Sequence, residues 1–100
     1  MVLTEIKGEG KITLQVEGRI DSLTTPELQS RILLCLQKQP NLVLDFAKVE
    51  YISSAGLRAL LMGHKTALAK GGSMVLVNVG KMVMDVLSMT GFDKIIIVRS

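Results

Sequence analysis

Leu42-Val43-Leu44-Asp45-Phe46-Ala47-Lys48-Val49-Glu50-Tyr51-Ile52-Ser53-Ser54-Ala55-Gly56-Leu57 is where the fold of this chain is most legible. Leu42-Val43-Leu44 is an apolar run without alternation, as expected of a strand covered on both faces. That strand ends at Asp45-Phe46, and Ala47 to Ile52 reads as a linker. Ser53-Ser54-Ala55-Gly56 then opens a long helix, from about Ser54 to Lys70, closed by Gly71-Gly72. Small residues at a helix start leave backbone N–H groups free, and with the helix dipole they favour negative charge. A Ser N-cap is the plain structural reading of the same residues, contributing about 1 kcal/mol.

Working upstream, Val2, Leu3 and Ile6 fall in a first strand, and Gly8-Glu9-Gly10 reads as a hairpin turn. Ile12, Leu14 and Val16 alternate with polar neighbours, the period of a half-buried strand. Thr24-Thr25-Pro26-Glu27 reads as a helix start, with Thr24 and Glu27 at capping-box spacing and Pro in the first turn. Leu28, Ile32, Cys35 and Leu36 continue at helical spacing until Pro40. Downstream, Met74 to Val77 is a buried strand, Lys81 to Met89 a short helix stopped by Gly91, and Ile95 to Val98 a last strand. The order is β-β-α-β-α-β-α-β. It predicts an α/β fold: one mostly parallel sheet with right-handed crossovers, an N-terminal antiparallel hairpin strand, and helices packed against it. Leu57, Leu60, Leu61 and Leu68 are expected to face that sheet.

Composition narrows the function. The 100 residues fit one domain, with 48% hydrophobic and 21% charged residues, an ordinary globular balance. Aromatics are 3% and the twelve basic residues are scattered, so neither base stacking nor a nucleic-acid stripe is expected. The lone Cys35 allows no disulfide within the chain, which fits a reducing cytoplasm. No signal segment or long apolar stretch is present, so no membrane role is expected. One His and one Cys, far apart, match no common zinc spacing. The sequence therefore predicts no metal and no cofactor.

A serine hydrolase is the enzymatic alternative, and it needs a base close to the nucleophile. The single His64 lies ten residues beyond Ser54, about 15 Å along one helix. Lys65 fails likewise. His64 reads as a packing residue among Leu57, Leu60, Leu61 and Leu68. Ser53-Ser54-Ala55-Gly56 lacks the Lys and glycine spacing of a P-loop. No catalytic residue is therefore assigned. Asp21, in Gly18-Arg19-Ile20-Asp21-Ser22, reads first as a turn aspartate bonding its own backbone. The methionines around the third helix, Met82, Met84 and Met89, read as core filler or as an adaptable surface.

Taken together, Gly18-Arg19-Ile20-Asp21, Leu42-Val43-Leu44-Asp45-Phe46, Tyr51-Ile52-Ser53-Ser54-Ala55-Gly56-Leu57 and Gly71-Gly72 resemble the STAS domain, and within it the stand-alone anti-sigma factor antagonists. The resemblance spans nearly the whole of residues 1–100 and implies one STAS domain without enzymatic activity. It implies partner switching. The unphosphorylated chain binds an anti-sigma factor serine kinase, a histidine-kinase-like ATPase, and releases the sigma factor. Phosphorylation blocks that binding and a serine phosphatase reverses it. The family block is Asp-Ser-Ser/Thr-Gly-Leu, so Ser53 stands in place of the Asp and Ala55 in place of the second hydroxyl residue. The resemblance places the phosphorylation site at Ser54, with Ser53 as competitor, and partner-binding residues at Asp21, Ser53, Ser54, Gly56 and Arg58. Arg58, one turn beyond Ser54, is placed to screen a phosphate. A STAS module serving another signalling scaffold, or as an accessory to a transporter, is the alternative.

Overall fold

The computed structural model describes residues 1–100. The chain forms β1 (Val2–Gly8), β2 (Lys11–Ile20), α1 (Thr25–Lys38), β3 (Asn41–Ile52), α2 (Ser54–Ala69), β4 (Ser73–Val77), α3 (Lys81–Met89), a 3-10 turn (Phe92–Lys94) and β5 (Ile97–Val98). The sheet order is β1-β2-β3-β4-β5; β1 is antiparallel to β2, and β2 to β5 are mutually parallel. The predicted α/β class, element order and hairpin are all present. Gly10 adopts φ +71 in the β1–β2 turn, a conformation glycine enters without Cβ strain.

Strand order equals chain order, so every crossover steps the same way. Right-handed crossovers then lay α1, α2 and α3 on one face of the sheet. Burial follows this. On the covered face Ile12, Leu14, Leu42, Leu44, Met74 and Leu76 are at most 3% exposed. Their neighbours Thr13, Val43, Val75 and Ile97 share one register row on the other face and are only half-buried or exposed. The expectation of strands covered on both faces is therefore corrected. The run at 42–44 is apolar because its open-face valine packs within a row of β-branched residues, not because a second helix layer covers it.

Three further expectations change. Leu57 and Leu60 face the sheet and Leu61 is half-buried, but Leu68 is 57% exposed in the last turn of α2. The last strand is only Ile97–Val98, because Phe92–Lys94 winds as a 3-10 turn and Ile95 caps it. Residues Ala47 to Ile52 are strand, not linker. There β3 pairs with the far half of β2 through two irregularities. The partner offset grows by one residue between Gln15 and Glu17 and by one more between Gly18 and Arg19. Buried positions in β3 accordingly run 42, 44, 46, 49, 52, and the period of two becomes three. Lys48 pairs with Glu17 at 3.4 Å across this stretch.

Candidate functional site

β4 ends at Val77, opposite Asp45, whereas β2 and β3 run on to a last register pair, Ile20 with Ile52. This two-stranded projection carries the predicted site. At its tip the Ser53 N–H donates to the Ile20 carbonyl at 2.8 Å, joining the start of α2 to the end of β2. Both β2–α1 and β3–α2 turns thus meet at the carboxyl end of the sheet, where open α/β sheets place their sites.

Ser53 is the N-cap of α2. Its backbone is extended, at φ −94 and ψ 173, and its Oγ accepts from the Gly56 N–H at 3.4 Å, a long capping bond. Ser54 is the first helical residue and its side chain is exposed. The cap and the exposed hydroxyl are therefore two different residues. Gly56 is buried beneath them. A Cβ added there would lie 2.5 Å from Ile20 Cγ2 and 2.8 Å from Ile52 Cγ1. Gly56 thus lets α2 close onto the ends of β2 and β3. Among the predicted partner-binding residues it is the one turned inward, where it shapes the site from below. Arg58 is exposed one turn beyond Ser54.

Asp21 divides its two oxygens. Oδ1 accepts from the Leu23 N–H at 3.0 Å and the Thr24 N–H at 3.1 Å, closing the turn into α1. Oδ2 faces only Arg19, whose Nε is 3.9 Å away. The turn-aspartate reading is realised by one oxygen, and the other is left at the surface. The Thr24 backbone N–H, more than any other group, holds the carboxyl below its ordinary value of 3.8, against the opposing effect of desolvation. The predicted capping box between Thr24 and Glu27 does not form. The Thr24 hydroxyl instead donates to the Arg19 carbonyl at 2.7 Å and accepts from the Asp21 N–H at 2.9 Å. Its hydroxyl is committed to the Asp21 turn, so it is unavailable to the helix.

Two site residues escaped the sequence reading. The Arg19 guanidinium stacks on the Tyr51 ring, 4.3 Å from its centroid, beside Asp21. Arg19 and Tyr51 are register partners across β2 and β3. Both stand inside the motifs quoted above, but no periodicity pairs them, since Tyr51 falls in the stretch read as linker and the register depends on the two irregularities.

Nothing else assembles into a reactive centre. No group of three or more His, Cys, Asp and Glu side chains is placed to hold a metal ion. Cys35 is fully buried on α1. Burial first, and then its bond to Glu5, push its thiol up to about 11. His64 is half-buried within α2, and its Nδ1 has no partner. No helix is long and apolar enough to cross a membrane.

Comparison with known proteins agrees with this architecture. The STAS domain pattern matches residues 2–100. The proposed anti-sigma factor antagonist BtrV of Bordetella bronchiseptica is 31% identical over 93 residues, covering 92% of this chain and 80% of that protein. The crystal structure of an anti-sigma factor antagonist from Mycobacterium paratuberculosis superposes with a TM-score of 0.89 at 27% identity, covering 98% of this chain and 84% of that one. The Bacillus cell fate determinant SpoIIAA in its phosphorylated form shares the fold, with a TM-score of 0.74 at 13% identity over 99% of this chain and 92% of its own. With a family match across almost the entire length and a relative above 30% identity, this chain belongs to the STAS domain family.

Proposed function

We propose that residues 1–100 act as one STAS unit, an anti-sigma factor antagonist that works by partner switching. STAS antagonists are regulatory binding proteins and not enzymes. The unphosphorylated protein binds an anti-sigma factor that is also a serine kinase of the histidine-kinase-like ATPase type. Binding frees the sigma factor. Phosphorylation of Ser54 dissolves the complex, and a serine phosphatase restores it. The proposed compartment is the bacterial cytoplasm, in keeping with a lone reduced cysteine.

One observation carries this reading. Ser53 takes the capping role and leaves the exposed Ser54 hydroxyl on the same projecting tip as Asp21 Oδ2, the oxygen not used by the turn. A phosphate adds about −1.5 to −2 charge. At the first helical residue it leaves the Ser53 cap bond untouched, so modification changes the surface with little demand on the fold. Asp21 Oδ2, engaged only by the 3.9 Å contact to the exposed Arg19, remains an acceptor for a basic group of the partner, and Arg58 lines the same side of α2.

The test is incorporation of phosphate from ATP by the serine-kinase anti-sigma factor of the same genome, mapped by mass spectrometry. Phosphate is expected on Ser54 and absent from Ser54→Ala, which should bind the kinase constitutively. Phosphate on Ser53 with Ser54→Ala fully modified refutes the register. No incorporation on either serine refutes the switching mechanism.

A further inference from the structure

The outward side of α2 has a composition that its role in the fold does not require. Ser54, Arg58, Leu61 and Lys65 lie at i, i+4, i+7 and i+11, within an arc of about 60° and a rise of about 16 Å. Residues 54 to 69 contain no Asp or Glu. The four ion pairs of the protein use Arg19, Lys38, Lys48 and Lys81, so Arg58 and Lys65 are both unmatched. Between these two cations runs a shallow groove along the surface of α2, open to solvent and lined also by Leu61, Met62 and Thr66. Leu61 and Met62 are half-buried and form an apolar floor. The Thr66 hydroxyl is already spent on the Met62 carbonyl at 2.8 Å and offers the groove no donor. The groove therefore presents apolar surface with positive charge at both ends.

We infer that this groove docks an acidic amphipathic helix of the anti-sigma factor, so that the partner interface extends from Ser54 two turns beyond Arg58, to Lys65. The inference rests on the partner-switching reading and gives the partner a chemistry. Arg58 and Lys65 are seven residues apart, a rise of about 10.5 Å. A helix lying along the groove meets both cations with acidic residues at i and i+7, and fills the floor with the apolar residues between them. Charge complementarity selects this occupant: a basic or neutral helix would leave both cations facing nothing or a like charge. The groove is continuous with the proposed modification site. Phosphate on Ser54 would stand one turn from Arg58, cancel its charge and repel the acidic helix at its first contact.

The experiment is calorimetric titration of the serine-kinase anti-sigma factor into wild type, Arg58→Glu, Lys65→Glu, Lys65→Gln and, as a charge mimic of the modified serine, Ser54→Asp, at two salt concentrations. Lys11→Glu, an equal charge change on β2, is the control, and circular dichroism verifies folding of each variant. Lys65→Glu is expected to weaken binding about tenfold or more, Lys65→Gln less, and both to flatten the salt dependence, with Lys11→Glu close to wild type. If Lys65→Glu binds like wild type while Ser54→Asp still weakens binding, the docking groove is overturned and the switch at Ser54 stands. If wild type itself does not bind the anti-sigma factor, the functional reading falls and takes this inference with it.

Discussion

Replacing Gly56 by Ala tests the close approach that seats α2. The added methyl would lie 2.5 Å from Ile20 Cγ2 and 2.8 Å from Ile52 Cγ1, well inside van der Waals contact. Both isoleucines are at most 3% exposed, and β-branching restricts their rotamers, so neither swings aside without a cost. Overpacking of this kind costs about 1–3 kcal/mol. Ala is better than Gly inside a helix by at most about 1 kcal/mol, which offsets part of it. The net expectation is a loss of about 1–2 kcal/mol, and each kcal/mol shifts Tm by about 4–8 °C in a domain of this size. Thermal unfolding by circular dichroism reads it directly. Gly8→Ala is the matched control, because a Cβ there meets nothing nearer than 3.7 Å, and its Tm should barely move. A Gly56→Ala variant as stable as wild type, or more stable, would show that helix propensity decides this position and that α2 is not pinned by the two isoleucines.

Other outcomes follow from the divided roles at the tip. Asp21→Asn keeps an acceptor for the Leu23 and Thr24 N–H groups and removes the charge. Tm should hold while kinase affinity drops about tenfold or more, and titration calorimetry measures both the loss and its size. Asp21→Ala should lower Tm as well, since the turn bonds go with it. The depressed Asp21 carboxyl binds fewer protons in the folded than in the unfolded chain near pH 3.8. Its contribution to stability is thus complete above that pH and lost as pH falls through the folded value, and kinase binding through Asp21 should stay flat from pH 8 to pH 5. Ser53→Ala should lower Tm by a few degrees, for a lost cap of about 1 kcal/mol, and still accept phosphate on Ser54. Cys35 should resist alkylation at pH 8 in the native protein and react once unfolded, because its thiol is buried and pushed up to about 11.

Sequence periodicity revealed the elements whose side chains obey one rule along their length. Ile12, Leu14 and Val16 alternate, α1 and α2 repeat at helical spacing, and Gly10, Gly71 and Gly91 fall at the turns. It failed where two rules meet. Beyond Phe46 the inward positions are Val49 and Ile52, a spacing of three that belongs to neither strand nor linker, because two irregularities intervene. Partition between one and two buried faces was equally hidden, since Val43 and Val75 are valines whether a helix or water lies over them. At the site, Ser53, Ser54 and Asp21 were legible as turn and cap residues. That Thr24 would spend its hydroxyl on the Arg19 carbonyl, and so leave no capping box with Glu27, was not legible, because that contact spans five residues and no local pattern encodes it.

The widening offset between β2 and β3 bears on how this arm can change in length. Each irregularity holds one extra residue in β3, so losing one residue between Phe46 and Tyr51 can be absorbed by straightening one of them. The arm would twist less, while Ile52 still pairs with Ile20 and the Ser53 N–H still meets the Ile20 carbonyl. Losing two residues would leave a regular ladder. A third loss would have no irregularity to draw on and would turn Ile52 outward. The arm thus carries two residues of slack between the middle of the sheet and the serine.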